Sequence, residues 1–377
     1  AIWGAGISSL KPLTAFERFV DVWPPAAPWG AWLSRVFLSP WARWDVLYYL
    51  KIVSQGYRLE DGTAQFHPLF PWLAAPLARI TGQPLLILLL LSSLSGLLLL
   101  FALECLARLD LDGETARASI LFLLFSPFAF VLFVPYTEGL FLLFATLCLL
   151  GGRQRQWWWA GFAGMLATLT RQQGIFLLLP LVWEMWEANE RDLSSLFKTW
   201  KTWGGAALIP TGWLIWSVYR AVALQDLDVD LSTAHSFIYS LLISPSAAHV
   251  VPVQTFLWPW TALGIALKQL WLEPDVDLVV NLILAAWFIG LMALSWSHLR
   301  TSYRLYSVLI VLISFSYYTG PVHPYMGLPR HLLLAFPVFL GLGAAIVKPW
   351  QRLLMHTGGI LGMLFLLLLF IFKTWVP

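Results

Sequence analysis

The longest regular feature of the chain is apolar monotony. From Pro84 to Leu106 the first charge met is Glu104, and in Leu353–Phe372 the one titratable residue is His356. Runs of this length approach or reach the ~20 residues that a helix needs to cross a bilayer. The same criterion marks further spans at about 84–107, 117–134, 137–151, 157–170, 173–187, 204–222, 278–297, 304–320, 331–347 and 353–372, some short enough to be tilted or broken. Upstream the pattern changes: Phe16, Phe19, Val20 and Trp23, then Trp29, Trp32, Leu33, Val36 and Phe37, recur at helical spacing with charged residues between them. These read as interfacial helices in a loop over roughly 11–83. The organisation expected is an N-terminal remnant and large outer loop (1–83), a set of spans (84–222), a second outer loop with an interfacial helix (223–277) and C-terminal spans (278–377). Ala1–Leu10 is too short to span, so one further helix is expected upstream of this sequence.

Composition agrees. Of 377 residues, 59% are hydrophobic and 11% charged, which excludes a soluble multidomain protein and indicates an all-α polytopic membrane protein of about 10 to 11 spans. The net charge of +3 and the scattered bases exclude a nucleic-acid partner. Basic residues gather at Arg153–Arg155, Arg191–Lys201, Arg300–Arg304 and Lys348–Arg352, which the positive-inside rule assigns to the cytoplasm. The 11–83 loop then faces out. Cys105 and Cys148 lie in apolar runs and read as packing residues.

Against this background the stretch WARWDVLYYLKIVSQGY, Trp41–Tyr57, is anomalous, because it sets Asp45 among Trp41, Trp44, Tyr48 and Tyr49. Ser39-Pro40 is a good helix start and Gly56 a good end, so one short helix is expected. On such a helix no Lys or Arg lies at i±3 or i±4 of Asp45. The bland reading is a bond to a distant arginine or backbone amide. The functional reading is a general base in a partly dehydrated aromatic setting. Other polar groups fall at the same outer face: His67 in FHPLFP, Glu138 in PYTEGLFLL, Arg171 in TRQQG, and Arg330 and His331 in PRHLLLAFP. Intramembrane arginines are functional by default, and their forks suit phosphate. Glu138, at a helix start, reads as structural or as orienting an arginine. Either histidine could donate to phosphate in a pH-dependent way. Asp226-Leu-Asp228-Val-Asp230 and Asp275-Val-Asp277 resemble D-x-D motifs but read as solvated acids, and no metal is assigned. No internal repeat or paired broken helices favour a transporter.

In this order the motifs WARWDVLYYLKIVSQGY, FHPLFP, PYTEGLFLL, TRQQG and PRHLLLAFP resemble the PIG-V family, mannosyltransferases of glycosylphosphatidylinositol-anchor synthesis, and its bacterial relatives. The resemblance implies a GT-C glycosyltransferase bundle in a bacterial plasma membrane, with Asp45 facing outside as the base of an inverting reaction. It implies a polyprenyl-phosphate hexose, mannose foremost, as donor, a lipid or glycan acceptor, and no nucleotide-sugar site. Arg171 and Arg330 are then the candidates for donor phosphate, with Tyr48, Tyr49 and His67 shaping the pocket. His67 replaces an aromatic and His331 a Tyr of the family pattern. The rival readings are a non-enzymatic scaffold subunit of a membrane complex that retains the fold, and a lipid or solute transporter.

Overall fold

Why the chain makes helices and little else follows from the bilayer: only a structure that satisfies its own backbone hydrogen bonds survives there. The structure is a computed structural model and describes residues 37–192, 200–226, 255–320 and 323–371. The amphipathic segments expected before Phe37 and most of the second outer loop, with Asp228, Asp230, His235 and His249, lie outside the described residues.

The segment before the first long span contributes α1 (Asp45–Gln55) and α2 (Leu69–Thr81). Then come α3 (Pro84–Ala107), α4 (Gly113–Leu124), α5 (Glu138–Arg153), α6 (Trp157–Thr170), α7 (Leu178–Ala188) and α8 (Trp200–Ala223). The C-terminal part holds α9 (Pro259–Leu272), α10 (Val276–Ser295), α11 (Thr301–Ser316), α12 (Leu328–Leu333), α13 (Pro337–Ala345) and α14 (Pro349–Ile371). Two short strands, β1 (Thr255–Phe256) and β2 (Tyr317–Tyr318), pair antiparallel with Thr255 opposite Tyr318. The chain is an all-α membrane bundle. Among the described residues, three segments are long and apolar enough to cross a bilayer: Pro84–Ala107, Val276–His298 and Pro349–Ile371.

Most other expected spans are shorter helices, and three are broken, that at 173–187 being a 3-10 helix, Gln172–Leu177, followed by α7. The expected span at 117–134 is α4 followed by a separate 3-10 turn at Ala129–Leu132. That at 331–347 is α12 and α13, divided before Pro337. A proline has no N–H for the ladder and clashes with the preceding turn, so it starts α13 rather than continuing α12. Close approach needs small residues where no water drives helices together. At the α6–α8 crossing a Cβ on Gly161 would stand 1.7 Å from the Gly205 carbonyl oxygen, so backbone meets backbone there. This packing of α8 and α5 against α6 holds the end of α6, and hence Arg171, in place.

Cys148 is buried and Cys105 exposed, and neither is in a disulfide.

Candidate active site

The helix carrying Asp45 differs from the expected one. Ser39–Trp41 forms only a 3-10 turn, and α1 begins at Asp45 itself. Between them Trp44 takes φ 52°, a left-handed conformation that is an outlier for a bulky side chain. Strain of this kind persists where surrounding structure over-determines it. Its effect is to place the Asp45 carboxylate in the first turn of α1, where the helix dipole favours negative charge.

Asp45 finds its partner 285 positions away. Arg330 Nη1 donates to Asp45 Oδ2 at 2.7 Å. Arg330 lies on α12, the short helix that Gly327 starts from a left-handed φ of 68° and that Pro337 keeps from continuing. Its Nε stands 3.1 Å from Glu138 Oε1, and its guanidinium lies 4.9 Å from the centre of the Tyr136 ring. Glu138 opens α5, and the same Oε1 accepts from Arg171 Nη1 at 2.5 Å. Arg171, extended at the end of α6, also donates through Nη1 to Thr137 Oγ1 at 3.0 Å. The Tyr49 hydroxyl reaches that same oxygen at 3.5 Å.

Four charges therefore form one chain, Asp45–Arg330–Glu138–Arg171, that sums to zero. Their exposures differ: the Glu138 side chain is 0% accessible, Arg330 9% and Arg171 12%, whereas Asp45 is 29%. Glu138 is locked between two arginines. Asp45 is the acid that solvent, and so a substrate, can reach.

The remaining candidates stand behind this chain. Tyr48 stacks on Phe66 at 4.9 Å, and Tyr49 meets Phe66 and Phe70 edge-on at 5.1 and 5.2 Å. Both tyrosines are buried, so they form the wall carrying α1 rather than an open platform. His67 bonds the Thr168 carbonyl at 2.8 Å through Nδ1, which as partner to a carbonyl must be the N–H donor. This pins the outer loop to the last turn of α6, next to Arg171. Burial pushes the imidazole down to about 3, outweighing the opposing pull of that bond. The pH-dependent phosphate contact expected of His67 does not follow, because the ring is neutral across the physiological range and its donor is already engaged. His331 stands edge-on to Tyr317 at 5.5 Å.

Reading the sequence missed two contributors. Thr137 joins Arg171 to Tyr49, and Tyr136 supplies the ring beneath Arg330; both lie inside the PYTE motif, which was the available signal. Asp275 and Asp277 approach His323 at 3.9 and 3.8 Å, but Asp275 caps α10 and Asp277 Oδ2 accepts from Asn281. These contacts are those of a capped helix start.

Residues 65–216 match the family model described as dolichyl-phosphate-mannose-protein mannosyltransferase. GPI mannosyltransferase 2 of Schizosaccharomyces pombe is 31% identical over 149 residues, which are 38% of this chain and 32% of the relative, so the chain matches about a third of that protein's length. Among solved structures, ArnT from Cupriavidus metallidurans bound to undecaprenyl phosphate aligns over 97% of this chain and 63% of its own, at 13% identity and a TM-score of 0.49. The segment 65–216 thus carries the pattern of this mannosyltransferase family.

Proposed function

We propose that the chain transfers a hexose, mannose foremost, from a polyprenyl-phosphate donor to a hydroxyl of a lipid or glycan acceptor on the outer membrane face. The observation that carries this reading is the placement of Asp45: a partly accessible carboxylate in a first helical turn, held by an arginine whose other contact is a fully buried acid. Support for the sugar and donor class comes from the family matched by residues 65–216.

The chemistry follows from the charges. The acceptor oxygen attacks the anomeric carbon as its proton passes to Asp45. The bond from that carbon to the phosphate oxygen breaks, and its electron pair leaves with the polyprenyl phosphate. Attack opposite the leaving group inverts the anomeric centre. Protonation of Asp45 turns the neutral four-charge chain into one of net charge +1 at the moment the leaving phosphate gains negative charge. Arg171 and Arg330, sharing Glu138, then carry one uncompensated positive charge toward that phosphate, which is stabilisation realised in the transition state and not before. Only part of each fork is used within the chain, since Arg171 donates through Nη1 alone and Arg330 through Nη1, its Nε lying 3.1 Å from Glu138 Oε1 without a hydrogen bond. Buried Glu138 orients both.

An acid kept only to hold Arg330 would make the same bond, so activity must decide. Purified protein in lipid nanodiscs, given polyprenyl-phosphate mannose and an acceptor lipid, is expected to yield a product of inverted anomeric configuration by NMR. A nucleotide-linked mannose should not substitute. Retained configuration, or transfer from the nucleotide sugar alone, would overturn the proposal.

A further inference from the structure

The charged groups at the other end of the bundle take no part in this chemistry. Helix α5 starts at Glu138 and ends at Arg153, so about 22 Å of helix separates that end from the Asp45 site. There a cavity of about 420 Å³ opens, lined by Arg153, Arg155, Glu184, Glu187, Arg191 and Arg300 among others. Three of the four basic connections in the sequence thus meet in one place, although they lie far apart along the chain.

The inner wall of this cavity is compensated. Arg153 donates to both oxygens of Asp110 at 2.5 and 2.8 Å and to the Tyr303 hydroxyl at 3.0 Å. Glu184 accepts from Ser302 Oγ at 2.5 Å and lies 3.8 Å from Arg153 and 3.5 Å from Arg300. Arg300 also donates to Glu187 at 2.8 Å, and Arg191 reaches Glu187 at 3.2 Å. The rim is not compensated. Arg155 has no ion-pair partner among the described residues, and the buried Arg300 Nε has no hydrogen-bond partner there. Four guanidinium groups face three carboxylates (Asp110, Glu184, Glu187), leaving one positive charge in excess. The carbonyl ends of α5 and α7 add negative potential at this end.

The backbone is also unusual at the rim. Arg155 and Arg191 take φ of 59° and 62°. Left-handed, non-glycine residues are held at a cost, and they concentrate where side chains are presented to ligands.

We propose that this cavity is a second ligand site, which binds a singly charged phosphodiester, the headgroup of an anionic phospholipid, at the inner membrane surface. Guanidinium forks are suited to phosphate oxygens, and basic pockets between membrane helices on the cytoplasmic side are where such headgroups lie. The excess of one positive charge matches a single phosphodiester. Free phosphate shares the chemistry and is the alternative source.

Native mass spectrometry tests the assignment on protein released from vesicles of phosphatidylglycerol or phosphatidylcholine, with thermal melting alongside. Wild type should retain one phosphatidylglycerol per chain in preference to phosphatidylcholine, and phosphatidylglycerol should raise its melting temperature. In R155Q/R191Q both residues are exposed, so folding should persist by circular dichroism while phosphatidylglycerol binds about 30-fold more weakly. Equal retention of both lipids, or undiminished retention in R155Q/R191Q, would overturn the site. Millimolar inorganic phosphate that raises the melting temperature as much as phosphatidylglycerol does would overturn the lipid assignment.

Discussion

Replacing Glu138 by glutamine probes the centre of the charge chain. Glu138 is fully buried and faces two guanidinium groups, at 2.5 Å to Arg171 and 3.1 Å to Arg330. In wild type two cations meet two carboxylates; in Glu138→Gln they meet one, Asp45, which touches only Arg330. No solvent screens the lost charge. Removing one partner of a buried pair costs about 3–5 kcal/mol, because the other charge stays buried without compensation. The dipole term at the start of α5 adds about 0.3–1 kcal/mol. Asp45→Asn should cost far less, about 1 kcal/mol or below, since Asp45 is part exposed and Arg330 keeps Glu138. Unfolding by denaturant in mixed micelles, with helix content as the signal, measures both. The expected order is a large loss for Glu138→Gln and a small one for Asp45→Asn. Adding Arg171→Met to Glu138→Gln should recover part of the loss, because it removes the cation left unpaired. If Glu138→Gln stays within 1 kcal/mol of wild type, the view of Glu138 as the buried anchor of both arginines is wrong.

Other perturbations are expected to separate packing from chemistry. Gly161→Ala should destabilise by about 1–3 kcal/mol or more in the same unfolding assay, because its methyl group meets the Gly205 carbonyl and must push α6 from α8. An unchanged midpoint would show that the helices do not pack there. His67 is neutral in the folded protein down to about pH 3, whereas in the unfolded chain it takes up a proton near its ordinary value of about 6.5. Its contribution to stability is therefore present above about pH 6.5 and is lost as pH falls toward 3, at about 1.4 kcal/mol per pH unit. His67→Gln should flatten the stability profile between pH 6 and pH 4.5 by that slope; parallel profiles would show that His67 is not buried neutral.

Local sequence rules located helices where apolar runs have clear ends. The spans read at 84–107 and 157–170 coincide with α3 and α6, since Pro84 begins one and Arg171, in extended backbone, ends the other. They failed where hydropathy averages over a break, as at Phe336-Pro337, and where long-range contacts overrule a cap signal, as at Ser39-Pro40. Trp44 has a positive φ that no propensity would give it. The residues that converge around Asp45 were legible as motif members, but their order was not. That Glu138 is shared by Arg171 and Arg330, and that Arg330 reaches back to Asp45, depends on how α1, α5, α6 and α12 converge, which pairwise spacing along a chain does not encode. The aromatic platform around Asp45 is likewise a buried wall, because Phe66 and Phe70 fold over Tyr48 and Tyr49.

The central claim is that Asp45 takes the acceptor's proton. Single-turnover transfer by Asp45→Asn in nanodiscs, with polyprenyl-phosphate mannose and an acceptor that wild type uses, tests it most directly. The account predicts a rate loss of about 10²–10⁴-fold with the fold and donor binding retained. Transfer at the wild-type rate would contradict it and leave Asp45 as no more than the partner of Arg330.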